Sequence, residues 1–424
     1  MSATAIHPSL HFHRPTTAIR RLQDGAIALA AFLGGFVIFE PAPYELFLAA
    51  LLGIWLLFGL RIPANVMPLL LLFVLFNAGG VISSFQIEEW DRGMIYVSVS
   101  LFLALSSVFF AILIQQDMSR IRLIFRAYTV AAVVTALLGI IGYFGVVPGF
   151  ELFTRYSRAM GAFQDPNVFG PFLVAPALYL VHGVLNRSAS FSIFRISALS
   201  VIAVGLLLAF SRAAWGLSLI CVAMFYFLLT VNERSPRMRL KYIAFAAAFI
   251  AAMIIVIAVM LQFDAVSELF TERVQLVQSY DSGREGRFGR HLAGYLLAIE
   301  RPWGIGPLEF GYIFTEDTHN IILKALMDYG WIGFFAFLTL TGITLVAGFR
   351  MLFRPRPWQP YYQIAYVVFV GHIVIGYVID IDHWRHFYLM IGIVWGCFGL
   401  ELAWQRERTA SRRQSAIASP AIAT

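Results

Sequence analysis

Charge is what this sequence lacks. Only 13% of its 424 residues are Asp, Glu, Lys or Arg, whereas a soluble domain carries about 25%. That shortage excludes an ordinary water-facing surface over most of the chain. Cysteine is almost absent: Cys221 and Cys397 each lie within an apolar run, so a disulfide framework and a Cys-based metal site are both unexpected. Acidic residues are the scarcer charge, leaving a net charge of +7. The basic residues, however, come in short clusters between apolar runs. Such clusters fit the positive-inside rule for membrane proteins, and no nucleic-acid partner is expected.

What the chain does have is apolar sequence: 60% of residues are hydrophobic and the mean hydropathy is +0.77. A bilayer core takes ~20 apolar residues per helix, and by that measure the chain holds about 12 spans. They centre on Gly25–Phe39, Tyr44–Leu60, Asn65–Ser84, Met94–Ile114, Ile124–Val147, Val168–Leu185, Phe194–Phe210, Ala213–Thr230, Tyr242–Gln262, Trp331–Phe349, Tyr361–Ile379 and Phe387–Trp404. The fold class expected is all-α and polytopic. The first run follows Arg20, Arg21 and Asp24 as a signal peptide would, but with so many spans behind it we expect it to stay as the first anchor.

Orientation follows from the basic clusters. With the N-terminus cytoplasmic, the inner side takes Arg14, Arg20, Arg21, Arg61, Arg120, Arg122, Arg126, Arg187 and Arg195. It also takes Arg234, Arg237, Arg239, Lys241, Arg350, Arg354, Arg356, Arg406, Arg408, Arg412 and Arg413, the larger share of the 31 basic residues. Both termini are then cytoplasmic. The expected organisation is an N-terminal tail 1–24, a membrane bundle 25–262, an outer loop 263–330, C-terminal membrane helices 331–404 and a disordered tail 405–424.

Against that background the outer arginines stand out. Arg155, Arg158, Arg212, Arg273, Arg284, Arg287, Arg290, Arg301 and Arg385 fall on the side that topology disfavours, and a polyanionic ligand is the simplest reason to keep them there. Ser211–Arg212 opens a span at the outer surface, where Arg212 reads either as a snorkelling anchor or as a fork for phosphate oxygens. In the outer loop, Arg284, Arg287 and His291 share one face if helical, with Arg290 close by; a solvated charged face would look the same. Phe288, Leu292, Tyr295, Leu296 and Ile299 give that segment helical apolar spacing, and Asn320–Met327 is a second amphipathic set, so two interfacial helices are expected around the Pro302–Pro307 break.

His319 sits beside Glu316, Asp317, Thr318 and Asn320. An imidazole takes and gives a proton near neutral pH, which suits a general base for a sugar hydroxyl, with Asp317 or Glu316 to orient it. It could equally be a plain interfacial polar residue. The loop Asp380–His386 has metal-ligand residue types but no ligand spacing, so no metal is expected there. Gly161–Pro171 reads as a turn leading into a helix.

Taken together, the GAFQDPN turn, the Ser211–Arg212 pair, Arg287 followed by an amphipathic helix and PWGIG, and THNIILKALMDYGWIG resemble the O-antigen ligase and polymerase superfamily of bacterial membrane glycosyltransferases. The likeness runs from about Ala162 to Gly333, with His291 standing where relatives often carry Trp. It implies a GT-C-like, metal-independent transferase without cofactors, lying in the inner membrane with its active site and outer loop facing the periplasm. Its donor would be an undecaprenyl diphosphate-linked glycan and its acceptor a lipid A–core or glycan hydroxyl. Carried over by motif, Arg212 and Arg287 would bind the diphosphate and His319 would activate the acceptor; Arg284, Arg290 and Arg158 are further diphosphate candidates. Ligase and polymerase share these motifs, and the leaning is to ligase. A flippase is the rival from another class, and nearly charge-free spans count against it.

Overall fold

The computed structural model describes residues 17–59, 61–185, 192–274, 286–314 and 316–418. Of the residues singled out above, Arg14, Arg187 and Arg284 lie outside them, and the side chains of Arg287, Arg412 and Arg413 are likewise not described. The helices run in chain order: α1 Thr17–Leu33, α2 Pro43–Leu57, α3 Met67–Ser84, α4 Trp90–Gln116, α5 Ser119–Tyr143, α6 Pro166–Phe172, α7 Val174–Leu185 and α8 Ser192–Leu208. They continue with α9 Arg212–Asn232, α10 Pro236–Met260, α11 Asp264–Val274, α12 Arg287–Glu300, α13 Glu309–Phe314, α14 Ile321–Phe349, α15 Gln359–Ile375 and α16 Arg385–Ala418. Two short strands, β1 Thr154–Arg155 and β2 Arg158–Ala159, pair antiparallel around Tyr156 and Ser157.

Each of the twelve apolar runs falls on a helix or, at Val168–Leu185, on the pair α6–α7. Among the described residues, eight helical stretches are long and apolar enough to cross a membrane, and α2 and α8 are shorter apolar helices. The strongest physical sign of a lipid surround is α10, an apolar helix of which only Tyr242 and Met260 are buried. A helix apolar on all faces and left unpacked is stable only where its surroundings are apolar too.

The helices meet in pairs: α14 on α3, α16 on α4, α1 on α5 and α15 on α9. The α3–α14 crossing is close because α3 carries glycine where the backbones touch. A Cβ on Gly79 would overlap the Tyr329 carbonyl oxygen and lie 2.7 Å from Gly333 N, and one turn away Phe76 stacks on Tyr329 with ring centroids 3.9 Å apart. Small residues at such contacts are what let membrane helices approach. Gly79→Ala is therefore expected to destabilise the protein by about 1–3 kcal/mol, read as a lower melting temperature in detergent; an unchanged melting curve would show that this crossing can open without loss.

The two interfacial helices expected in the outer loop correspond to α12 and to the first part of α14, but the second is not interfacial. Ile321, Leu323, Lys324, Ala325, Met327, Asp328 and Tyr329 are all buried. At Gly330 the helix breaks (φ 62°, ψ −173°) before continuing to Phe349. The turn Pro302–Gly306 fills the break: Trp331 N donates to Pro302 O at 2.9 Å and Ile305 N to Met327 O at 2.8 Å. A side chain at 330 would meet Trp303 C at 2.8 Å, so both the left-handed backbone and the contact call for glycine.

Candidate functional site

Loops at one end of the bundle supply the site. Asn320 caps α14, its side-chain oxygen accepting from Ile322 N at 3.0 Å and Leu323 N at 3.1 Å, as an N-cap Asn should. The three residues before the helix close around a single carboxylate on a distant loop. Asp380 Oδ1 accepts from Thr318 Oγ1 at 2.9 Å and from Asn320 N at 3.1 Å, while Oδ2 accepts from His319 N at 3.1 Å. The helix N-terminus adds to the positive field at that carboxylate.

His319 adopts φ 46°, an uncommon conformation for a residue other than glycine and one held here by its neighbours. Its Nδ1 lies 3.5 Å from Asp380 Oδ2, and its side chain is 37% exposed. A proton on Nδ1 facing the carboxylate makes Nε2 the basic nitrogen. The carboxylate that faces His319 Nδ1 is thus Asp380. Asp317, one of the two candidates named from sequence, instead bonds Thr318 N at 2.8 Å and pairs with Lys324 Nζ at 2.9 Å. Glu316, the other, pairs with Arg290. Burial alone would raise Asp380, but Lys324, His319 and the Thr318 hydroxyl outweigh it and hold its carboxyl well below the usual carboxylate range.

Lys324 is the buried cation beneath this cluster. Its side chain is 2% exposed and lies 3.3 Å from the Asp328 carboxylate, itself fully buried. Both residues precede the break at Gly330, so the span Trp331–Phe349 stays free of charge, while the stretch expected to be interfacial holds a buried ion pair. Burying one charge without the other would leave it uncompensated. Next to the pair, Tyr96 on α4 donates to Asp382 Oδ2 at 2.6 Å. Burial, with Asp380 and Asp317 close by, pushes Asp382 up to about 6 against the opposing pull of Lys324 and the Tyr96 hydroxyl. The loop singled out as Asp380–His386 is thus a structural and electrostatic partner of the His319 segment. Among the described residues no three His, Cys, Asp or Glu side chains converge so as to hold a metal ion.

The arginines are placed by other means. Arg212 and Arg287 are each the first residue of a helix, α9 and α12, where peptide N–H groups and the helix dipole favour an anion. Ser211 caps α9, its Oγ accepting from Ala214 N at 3.3 Å, and Arg212 is half-buried. Arg158, on β2, is buried; its Nε donates to Ala209 O at 2.8 Å and its Nη2 to Asn167 Oδ1 at 2.8 Å. It thereby joins the GAFQDPN turn to the segment that presents Arg212. In the same turn Asp165 caps α6 by accepting from Asn167 N at 2.6 Å. His291 is buried, with Nε2 2.6 Å from Thr318 O, so α12 is tied directly to the residue before His319.

Beside Asp380 a cavity of about 240 Å³ opens, lined among others by Tyr96, Asp317, Lys324, Asp380, Asp382 and Trp384. Arg212 and His319 are not among its lining residues. Asp380 is the link between the two: it lines the cavity and lies 3.5 Å from His319 Nδ1. Sequence reasoning weighed Asp380 and Asp382 only as parts of a metal-type loop, did not connect Asp380 to His319, and did not single out Lys324. The only signal was that the Asp380–His386 loop is polar and expected on the same side as His319.

No curated protein matches the chain. Residues 197–338 match the family model described as O-Antigen ligase, a span that takes in Arg212, Arg287, Arg290 and His319 and stops short of Asp380. Over that third of the chain the protein is similar to the O-antigen ligase family, which supports membership in the O-antigen ligase superfamily.

Proposed function

We propose that this protein transfers a glycan from undecaprenyl diphosphate to an acceptor hydroxyl, with lipid A–core as the acceptor, on the periplasmic face of the bacterial inner membrane. The observation that carries the reading is the Asp380–His319 pair: a partly exposed imidazole held against a half-buried carboxylate whose ionised form Lys324, His319 and Thr318 favour. His319 Nε2 takes the proton of the acceptor hydroxyl as that oxygen attacks the anomeric carbon. The bond from the anomeric carbon to the diphosphate oxygen breaks, and its electron pair leaves with undecaprenyl diphosphate. Arg212 and Arg287 stabilise the charge that develops on the leaving group, with Arg284 and Arg290 adding to the field. Arg158 contributes by holding the Arg212 segment. No metal or cofactor is called for. With a second lipid-linked glycan as acceptor, the same steps would make a polymerase.

The test is transfer of a radiolabelled lipid-linked glycan in proteoliposomes, with the product resolved on a polysaccharide gel. Movement of the lipid across the bilayer without a new glycosidic bond would replace transferase by flippase. In this assay Arg212→Ala is expected to lose ~10²- to 10³-fold in rate while the protein still inserts. A rate within about tenfold of wild type, too small a loss for a charge-stabilising contact, removes Arg212 from the site.

A further inference from the structure

The cavity beside Asp380 has a composition of its own. At about 240 Å³ it falls below the ~300 Å³ at which drug-sized sites begin, which suits one ring rather than an extended chain. Tyr96 and Trp384 line it with aromatic rings, Gln164 carries a donor, and Asp165 and Asp382 carry acceptors. An apolar ligand would strand those polar groups. An anion would find both nearby cations engaged: Lys324 by Asp317 and Asp328, and Arg385 by Glu40 and Glu45.

One lining group lacks a partner. His383 Nε2 is shielded from solvent and has no hydrogen-bond partner among the described residues, whereas nearly all buried polar atoms have one. Burial first, then Lys324 and Arg385, pushes this imidazole down to about 3. It is therefore neutral at physiological pH and suited to a hydroxyl rather than to an anion.

We propose that this cavity is the subsite for the acceptor sugar, and that it selects an uncharged or amino sugar over an acidic one. The inference rests on the transferase reading, because Asp380 forms part of the cavity wall and also holds His319.

The full-length protein in nanodiscs, without donor, should bind methyl β-D-glucopyranoside and methyl β-D-glucosaminide at least ~10-fold more tightly than methyl β-D-glucuronide, read by saturation-transfer NMR. Asp382→Asn and Asp165→Asn should each narrow that gap to about threefold or less; Asn at 165 keeps the α6 cap, so this variant should fold. In the transfer assay the glucoside should compete with the acceptor. Absence of binding, equal binding of all three, a gap that neither variant narrows, or competition with the lipid-linked donor overturns the proposal. Because the binding measurement needs no donor, its failure leaves the transferase reading standing, and loss of that reading leaves the sugar selectivity measurable.

Discussion

His319→Ala is expected to lower glycan transfer by ~10²- to 10⁴-fold, the range over which a positioned general base acts. The protein should still insert and elute as wild type. All four residues Thr318–Ile321 are anchored through groups the substitution leaves intact: the Thr318 hydroxyl and Asn320 N bond Asp380, and Ile321 N donates to Gly376 O at 2.7 Å. His319 N also bonds Asp380, at 3.1 Å, and alanine keeps that amide. The cost to folding is confined to alanine at φ 46°. His319→Gly relieves that strain and should be just as inactive, so the pair separates chemistry from backbone. Activity in the glycine variant above about a tenth of wild type would sink the general-base role.

The bundle was legible in the sequence because a bilayer imposes one length and one composition on every span, and apolar runs such as Met94–Ile114 and Ala213–Thr230 needed no tertiary knowledge. Two helix starts were also legible, the turn at Gly161–Pro171 and the span opened at Ser211–Arg212; Asp165 and Ser211 cap those helices, as Asn320 caps α14. The environment of α14 was not. Lys324 and Asp328 stand four residues apart, the spacing of a surface ion pair on an amphipathic helix, and nothing local distinguishes that from a pair sealed inside protein. The difference comes from α3, whose glycines admit the helix, and from Ser83, which bonds the Asp328 carbonyl. Asp380 was hidden for a related reason. It reaches His319 across a sequence separation of 61 residues, through the return of α15 to the same end of the bundle, and a pattern read along the chain carries no record of that return. Its own loop, DIDHWRH, advertised metal ligands by residue type, while their geometry serves hydrogen bonding.

Asp380 makes the sharper test of the site, since it touches no reacting atom in this scheme and acts on the chemical step through His319, while its place in the cavity wall confines any effect on binding to the acceptor. Asp380→Asn is expected to lower the turnover rate by ~10²- to 10⁴-fold, as loss of an orienting carboxylate does in hydrolytic triads, with little change in the acceptor KM. An amide that turns its NH₂ towards Nδ1 favours the wrong imidazole tautomer, which leaves binding untouched but removes the base. The same substitution has a stability signature of known sign. Lys324, His319 and Thr318 hold the Asp380 carboxyl below its usual range, so its ionised form stabilises the folded protein at every pH above the ordinary Asp value of ~3.9. That contribution fades as pH falls below this value. The melting temperature of Asp380→Asn should therefore lie below wild type by a constant margin from pH 5 to 8, and the margin should shrink towards pH 3. A variant that melts lower by this pattern yet transfers at the wild-type rate would leave Asp380 a purely structural anchor. A variant that loses turnover and keeps KM, with rescue by Asp380→Glu, would fix it as the residue that positions His319.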